Sequence, residues 1–235
     1  MGLEIFYDLH APITFACDRV RSAVECVRDI ASELSFAEVG SVVAHDPNYP
    51  KTLGIKDGPE EYLHLRVTAV DGWYFRTWPG EGCETAFFGL CLFPGTIVHE
   101  GKEVPTGWGE GWHYHSWCKT QYADRVSREH FLRCHRGVVA VLDAFRVMGV
   151  AVNARDASGY WQQRDLAALE RSVNEWNGIV AAVAGAVKDA LDDSAGSVVS
   201  PMFAKSDFER LEAEGREIMR RKQTGADTNP DISPS

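Results

Sequence analysis

What the chain lacks narrows its possible roles first. No window approaches the roughly 18 uninterrupted apolar residues that a membrane helix needs, so no spanning segment is expected. The opening MGLEIFYDLH holds no basic region and no apolar stretch of secretory length. Position 6 is Phe where a myristoylation signal requires Ser or Thr. The six cysteines, at 17, 26, 83, 91, 118 and 134, include no C-x-x-C pair. In a chain without a secretory signal such thiols are expected to be reduced, several of them as small core residues, and the expected compartment is the cytoplasm.

Signature loops are missing too. No G-x-G-x-x-G follows a strand, and neither G-x-x-x-x-G-K-[ST] nor G-x-S-x-G occurs. Dinucleotide binding, a phosphate-binding loop and a hydrolase elbow therefore have no support. Basic residues are in deficit, with 24 Lys and Arg against 34 Asp and Glu, a formal charge of −10. Such a surface repels phosphate backbones, so nucleic acid is not an expected partner. It favours solubility and would suit a basic protein partner.

What is present reads as α+β. At 235 residues the chain can bury a full core without staples. Residues 3–9 alternate as a strand, and Thr14 could cap the helical stripe Val20, Ala23, Val24, Val27, Ile30, Ala31 and Leu34. Residues 37–45 read as a second strand, giving a β-α-β opening, and 46–61 read as a loop rich in Pro, Gly and Asn. Hairpin signals follow, among them a two-residue turn at Asp71-Gly72. Strands are expected at 62–70, 73–78 and 83–93, with a small hairpin near 96–104 and a last strand at 112–118.

Beyond 125 the pattern becomes helical. Ser127 should cap a helix whose seam is Phe131, Cys134, Val138, Val141, Phe145 and Met148, stopped by Gly149. Residues 150–160 read as a connector before a long helix at 165–192, and these two helices are expected to pack antiparallel. SAGS at 194–197 and Pro201 should break the chain before a last helix at 205–222. The expected fold is an antiparallel sheet packed against an N-terminal helix and a C-terminal antiparallel helix pair. It is read as one domain over 1–222, sheet-rich to 124 and helical from 125, with 223–235 a disordered tail.

The polar residues concentrate between 113 and 135. Lys119, Gln121, Tyr122 and Arg133 form a candidate ligand site for an anion, Arg supplying a planar fork and Lys a point charge. Cys118, beside Lys119 and ahead of a helix start, is a candidate nucleophile, and His135 joins it as a catalytic candidate. No metal is expected, because no tight ligand pair occurs. The secondary alternative is His113 and His115, which share a strand face, with Cys118. Against all of these stands a structural reading. Arg133 and Arg164 could be tied to Asp143, Asp156 or Asp165, and His135 could be a core histidine with its own partner.

Five segments, CKTQYA (118–123), FLRCH (131–135), LD (142–143), YWQQRD (160–165) and WN (176–177), together resemble the motif set of a family of uncharacterised bacterial proteins. The resemblance spans roughly 80–177 and carries no activity. It implies only that Cys118, Lys119, Gln121, Tyr122, Arg133, Cys134, His135, Tyr160, Trp161, Arg164, Asp165, Trp176 and Asn177 occupy motif positions. Two functional expectations follow from the sequence. The first is an acidic binding or interaction protein, of the kind an immunity or antitoxin role would suit. The second is a small enzyme or ligand sensor with an anion-accepting pocket at 113–135. No cofactor is indicated by either.

Overall fold

A computed structural model describes residues 3–46, 51–56, 62–190, 203, 205 and 207–224, the side chains of 51–65 excepted. The architecture is α+β, built on a seven-stranded antiparallel sheet. Strand β1 (Glu4–Pro12) lies between β10 (Gly111–Lys119) and β11 (Ala151–Asp156). Beyond β10 come β7 (Ala86–Leu92), β6 (Asp71–Trp78) and, at the far edge, the two-residue strands β2 (Glu38–Val39) and β3 (Val43–Ala44), both paired with β6. Two separate hairpins complete the strands: β4 (Lys51–Lys56) with β5 (Tyr62–Val67), and β8 (Thr96–His99) with β9 (Lys102–Pro105).

The alternation in β1 explains its place. Ile5, Tyr7, Leu9 and Ala11 are buried, while Asp8 and Pro12 face solvent. Onto the buried face pack α1 (Cys17–Glu33), through Val20, Ala23, Val24, Val27 and Ala31, and α2 (Arg128–Val147). Helix α2 starts where Ser127 caps it, its hydroxyl accepting from the amide of His130 at 3.0 Å. Phe131, Cys134, Val138, Val141 and Phe145 are all buried along its seam, and Phe145 reaches the ring of Phe88 on β7. Each such side chain contributes about 1.5–3 kcal/mol by leaving water, which is why α2 lies in the centre.

Several expectations are corrected. The opening is not a β-α-β unit, since β1 and β2 lie apart in a wholly antiparallel sheet. Asp71-Gly72 is not a hairpin turn: both residues belong to β6, and β5 pairs with β4 instead. Strand β4 occupies part of the expected loop 46–61, whose residues 47–50 and 57–61 lie outside the described ones. The connector 150–160 contains β11, and Thr14 caps nothing, because Ala16 stands at the start of α1. After the single turn α3 (Tyr160–Gln163), helix α4 (Leu166–Ala190) takes its main partner from α5 (Phe208–Gln223), not from α2. Gly178 and Gly215 let those backbones touch, for a Cβ on Gly215 would fall 1.8 Å from the Gly178 carbonyl oxygen. The expected break at 194–201 and the tail after 224 lie outside the described residues. Among the described residues no helix is long and apolar enough to cross a membrane.

Candidate functional site

The register of β1 assembles the junction. Ile5 pairs on one side with Cys118 and on the other with Asp156, so the ends of β10 and β11 lie beside the same strand end. A 3₁₀ turn, η1 (Gln121–Arg125), then swings the chain into α2, which carries His135 back over that spot. The Thr120 hydroxyl meets His135 Nδ1 at 2.8 Å, and His135 Nε2 donates to Asp156 Oδ2 at 3.1 Å. Asp156 also accepts from the Ser158 amide at 2.8 Å, the Ser158 hydroxyl at 2.7 Å and the Trp161 amide at 2.9 Å. Burial by itself would raise the Asp156 carboxyl. The hydrogen bond and charge of His135 and the two donors of Ser158 outweigh it and hold the group below its ordinary value.

Thr120, His135 and Asp156 therefore stand in the order of a hydroxyl-imidazole-carboxylate relay, buried from solvent. Thr120 and His135 are 0 % exposed and Asp156 only 6 %. A relay of this kind acts when its hydroxyl meets a substrate; here it satisfies buried polar ends. The other motif residues do related work. Arg164 grips Asp143 through two N–H···O contacts of 2.9 Å, and Asn177 donates to Asp124 Oδ2 at 2.7 Å, where Lys205 also binds at 2.8 Å.

The residues expected to form a site are dispersed. Cys118 is fully buried, its thiol donating to the Glu84 carbonyl at 3.3 Å, and burial together with nearby Glu84 and Cys134 pushes that thiol up, away from the thiolate. His135 is locked in the junction. Gln121 is buried with Oε1 accepting from the Leu3 amide at 3.1 Å. Lys119 Nζ lies 5.0 Å over the ring of Tyr122. The metal alternative fails by strand parity. His113 and His115 point one way from β10, whereas Cys118, an odd number of residues from either, alternates onto the buried face. His115 instead pairs with Asp8 at 2.7 Å, and His113 lies against the His10 ring at 4.6 Å between centroids.

Arg133 is the one expected ligand residue that lines a cavity. A groove of about 900 Å³ runs along the outer face of α2, walled by His130, Arg133, Arg136, Asp143 and Arg164 and flanked by Glu33 at the end of α1 and Leu34 just after it. Asp143 is neutralised by Arg164, and Glu33 and Glu129 give the rim a mixed sign. Arg133 donates to His130 Nδ1 at 2.7 Å, and His130 Nε2 donates to the Glu81 carbonyl at 2.9 Å. Among the described residues neither Arg133 nor Arg136 has a carboxylate partner, whereas Arg76, Arg128, Arg164, Arg210 and Arg216 all do.

Beneath that wall lies a feature that sequence reasoning missed. Cys134 sits against the loop joining β6 to β7, its thiol 3.3 Å from the Pro79 carbonyl and 3.7 Å from His130 Nε2. The half-buried Cys83 belongs to the same loop, its amide donating to the Gly80 carbonyl at 3.0 Å. Neighbouring Cys83 holds the Cys134 thiol below its ordinary value against the opposing effect of burial, His130 and Arg133 lower it further, and Cys83 is raised in turn. No family profile, curated protein or solved structure matches the chain, so the function must be argued from this geometry.

Proposed function

We propose that the chain is a binding protein whose groove on α2 receives a small molecule carrying a carboxylate or phosphate, rather than an enzyme working at the strand-to-helix junction. One observation carries the reading: Arg133 and Arg136, one helical turn apart, share a concave wall without carboxylate partners among the described residues, in a chain of net charge −10 that pairs many of its other arginines. A guanidinium fork matches a carboxylate or phosphate edge in two bonds, and a concave wall keeps some water away from the contact. Glu33 and Glu129 on the rim favour a compact anionic head over a polyanion.

Calorimetric titration with inorganic phosphate and with succinate tests this. Arg136→Gln should weaken whichever probe binds by about tenfold, the size of one charge-assisted hydrogen bond. Unchanged affinity in both Arg136→Gln and Arg133→Gln would overturn the reading.

A second reading, a protein partner, is favoured by Trp117. It is 49 % exposed on the open face of the sheet, beside Phe6 at 6.5 Å between ring centroids, with Arg155 over Phe6 at 5.0 Å. Tryptophan concentrates binding energy where a partner desolvates it. Under that reading Trp117→Ala abolishes capture of the partner and leaves phosphate titration untouched.

A further inference from the structure

Beyond its two arginines the groove on α2 has little polar capacity to spare. Asp143 and Arg164 occupy each other through two contacts of 2.9 Å, and His130 is committed to Arg133 and to the Glu81 carbonyl. The Ser127 hydroxyl accepts from the His130 amide as the cap of the helix. No Asn, Gln or Thr stands among the described residues that line the cavity. A sugar or a nucleotide would bring several hydroxyl and amide groups here with few neutral partners, and each one left unmatched weakens binding. What the wall offers beside its cations is hydrocarbon. Leu132 lies one helical turn before Arg136, and Val139 and Ala140 lie one turn after it. Side chains at that spacing share one helix face, about 5–6 Å apart at Cβ. Leu132 and Ala140 are half-buried, with Val139 buried beside them. Two other elements complete the wall. The chain leaving α1 is pressed onto α2, since a Cβ on Gly137 would lie 2.6 Å from the Phe36 ring, and the nearby half-buried Leu34 lines the cavity. Tyr160 of α3 also lines it, held by its ring against that of His135, edge-on with centroids 6.0 Å apart.

We infer that the ligand of this groove is an organic acid with a short aliphatic body, its anionic head on Arg133 and Arg136 and its hydrocarbon chain on Leu34, Leu132 and Ala140. The inference rests on the anion-binding reading above and narrows it to one chemical class. A single carboxylate can take a hydrogen bond from each guanidinium, so one head uses the free cations of the wall. Glu33 and Glu129 repel a second negative charge at the rim and leave a neutral chain unopposed. The length of the body follows from the helix. From Leu132 to Ala140 is about 12 Å at the α-helical rise, with Arg136 at the middle. A body of about four to six carbons covers either half of that span. Each methylene taken fully out of water strengthens binding by about fourfold. Half that burial over four methylenes amounts to roughly tenfold.

The test titrates the full nitrogen-15-labelled chain with acetate and with hexanoate, which share a head and differ by four methylenes, beside succinate and inorganic phosphate. Binding is read from the amide shifts of Arg133 and Arg136. Hexanoate should bind at least about tenfold tighter than acetate. Arg136→Gln should weaken both acids, and Leu132→Ala should shrink the ratio between them to about threefold or less. Equal affinity for hexanoate and acetate, with succinate or phosphate still bound, would overturn the inference and leave the anion-binding reading standing. A ratio untouched by Leu132→Ala would overturn it as well, by placing the chain elsewhere. If none of the four anions moves these amides, the reading and the inference fall together. Should Leu132→Ala fail to fold, the wild-type comparison of the two acids alone decides.

Discussion

Replacing Asp156 by Asn separates a structural junction from a chemical one. The carboxylate accepts four hydrogen bonds, from His135 Nε2, the Ser158 amide, the Ser158 hydroxyl and the Trp161 amide, with its side chain fully buried. Asparagine keeps one acceptor oxygen but turns an amide N–H₂ toward donors that need an acceptor. Hydrogen bonds to a charged group contribute about 1.5–3 kcal/mol each, and breaking a buried pair from one side costs about 3–5 kcal/mol. A loss of about 3–5 kcal/mol is therefore expected from urea unfolding, against roughly 5–15 kcal/mol for a whole domain. The control is Glu25→Gln, which removes the exposed pair with Arg21 and should cost about 0.3–0.5 kcal/mol. Acid supplies a second arm. Because the folded Asp156 carboxyl lies below its ordinary value, its contribution is complete above the unfolded value of about 3.9 and fades as pH falls through the folded one. Asp156→Asn lacks that titration, so its stability should fall less steeply in acid than the wild type's. A variant within about 0.5 kcal/mol of wild type would refute the claim that the junction holds β11, α2 and the end of β10 together.

Other expectations follow from the same geometry. Cys118→Ala should cost about 1–2 kcal/mol, as one small buried group would, and leave phosphate or succinate titration unchanged; loss of binding in a folded protein would return Cys118 to the site. In the native protein iodoacetamide should modify Cys17 and Cys26 well before Cys118, and the reverse order would contradict its sealed position. Gly215→Ala forces a methyl onto the Gly178 carbonyl. Its overpacking cost of about 1–3 kcal/mol should outweigh the helix-propensity gain of about 1 kcal/mol, and a raised melting temperature would show that α5 is not held so closely.

How far the sequence could be read depended on whether a signal was local. The seam of α2 was legible because Phe131, Cys134, Val138, Val141 and Phe145 repeat at helical spacing, and its start was marked by Ser127. Strand β11 was not, although Val152, Ala154 and Asp156 do alternate, because small and charged residues there carry little strand preference and a glycine follows soon after. Asp156 consequently reads in the sequence as an acid in a connector and a possible partner of Arg133 or Arg164, whereas its partner is His135. The grouping of Lys119, Gln121, Tyr122 and Arg133 followed nearness in sequence. A 3₁₀ turn and the start of a helix intervene, so Gln121 turns into the core while Arg133 reaches the groove. The loop at 79–83 and the α2 residues His130 and Cys134 meet only through tertiary packing, and no spacing rule connects them.

The most direct measurement is an NMR titration of the nitrogen-15-labelled chain with inorganic phosphate and with succinate. The account predicts amide shifts concentrated around His130, Arg133 and Arg136, with Thr120, His135 and Asp156 unmoved. Shifts centred on 118–122, or none on α2, would contradict it.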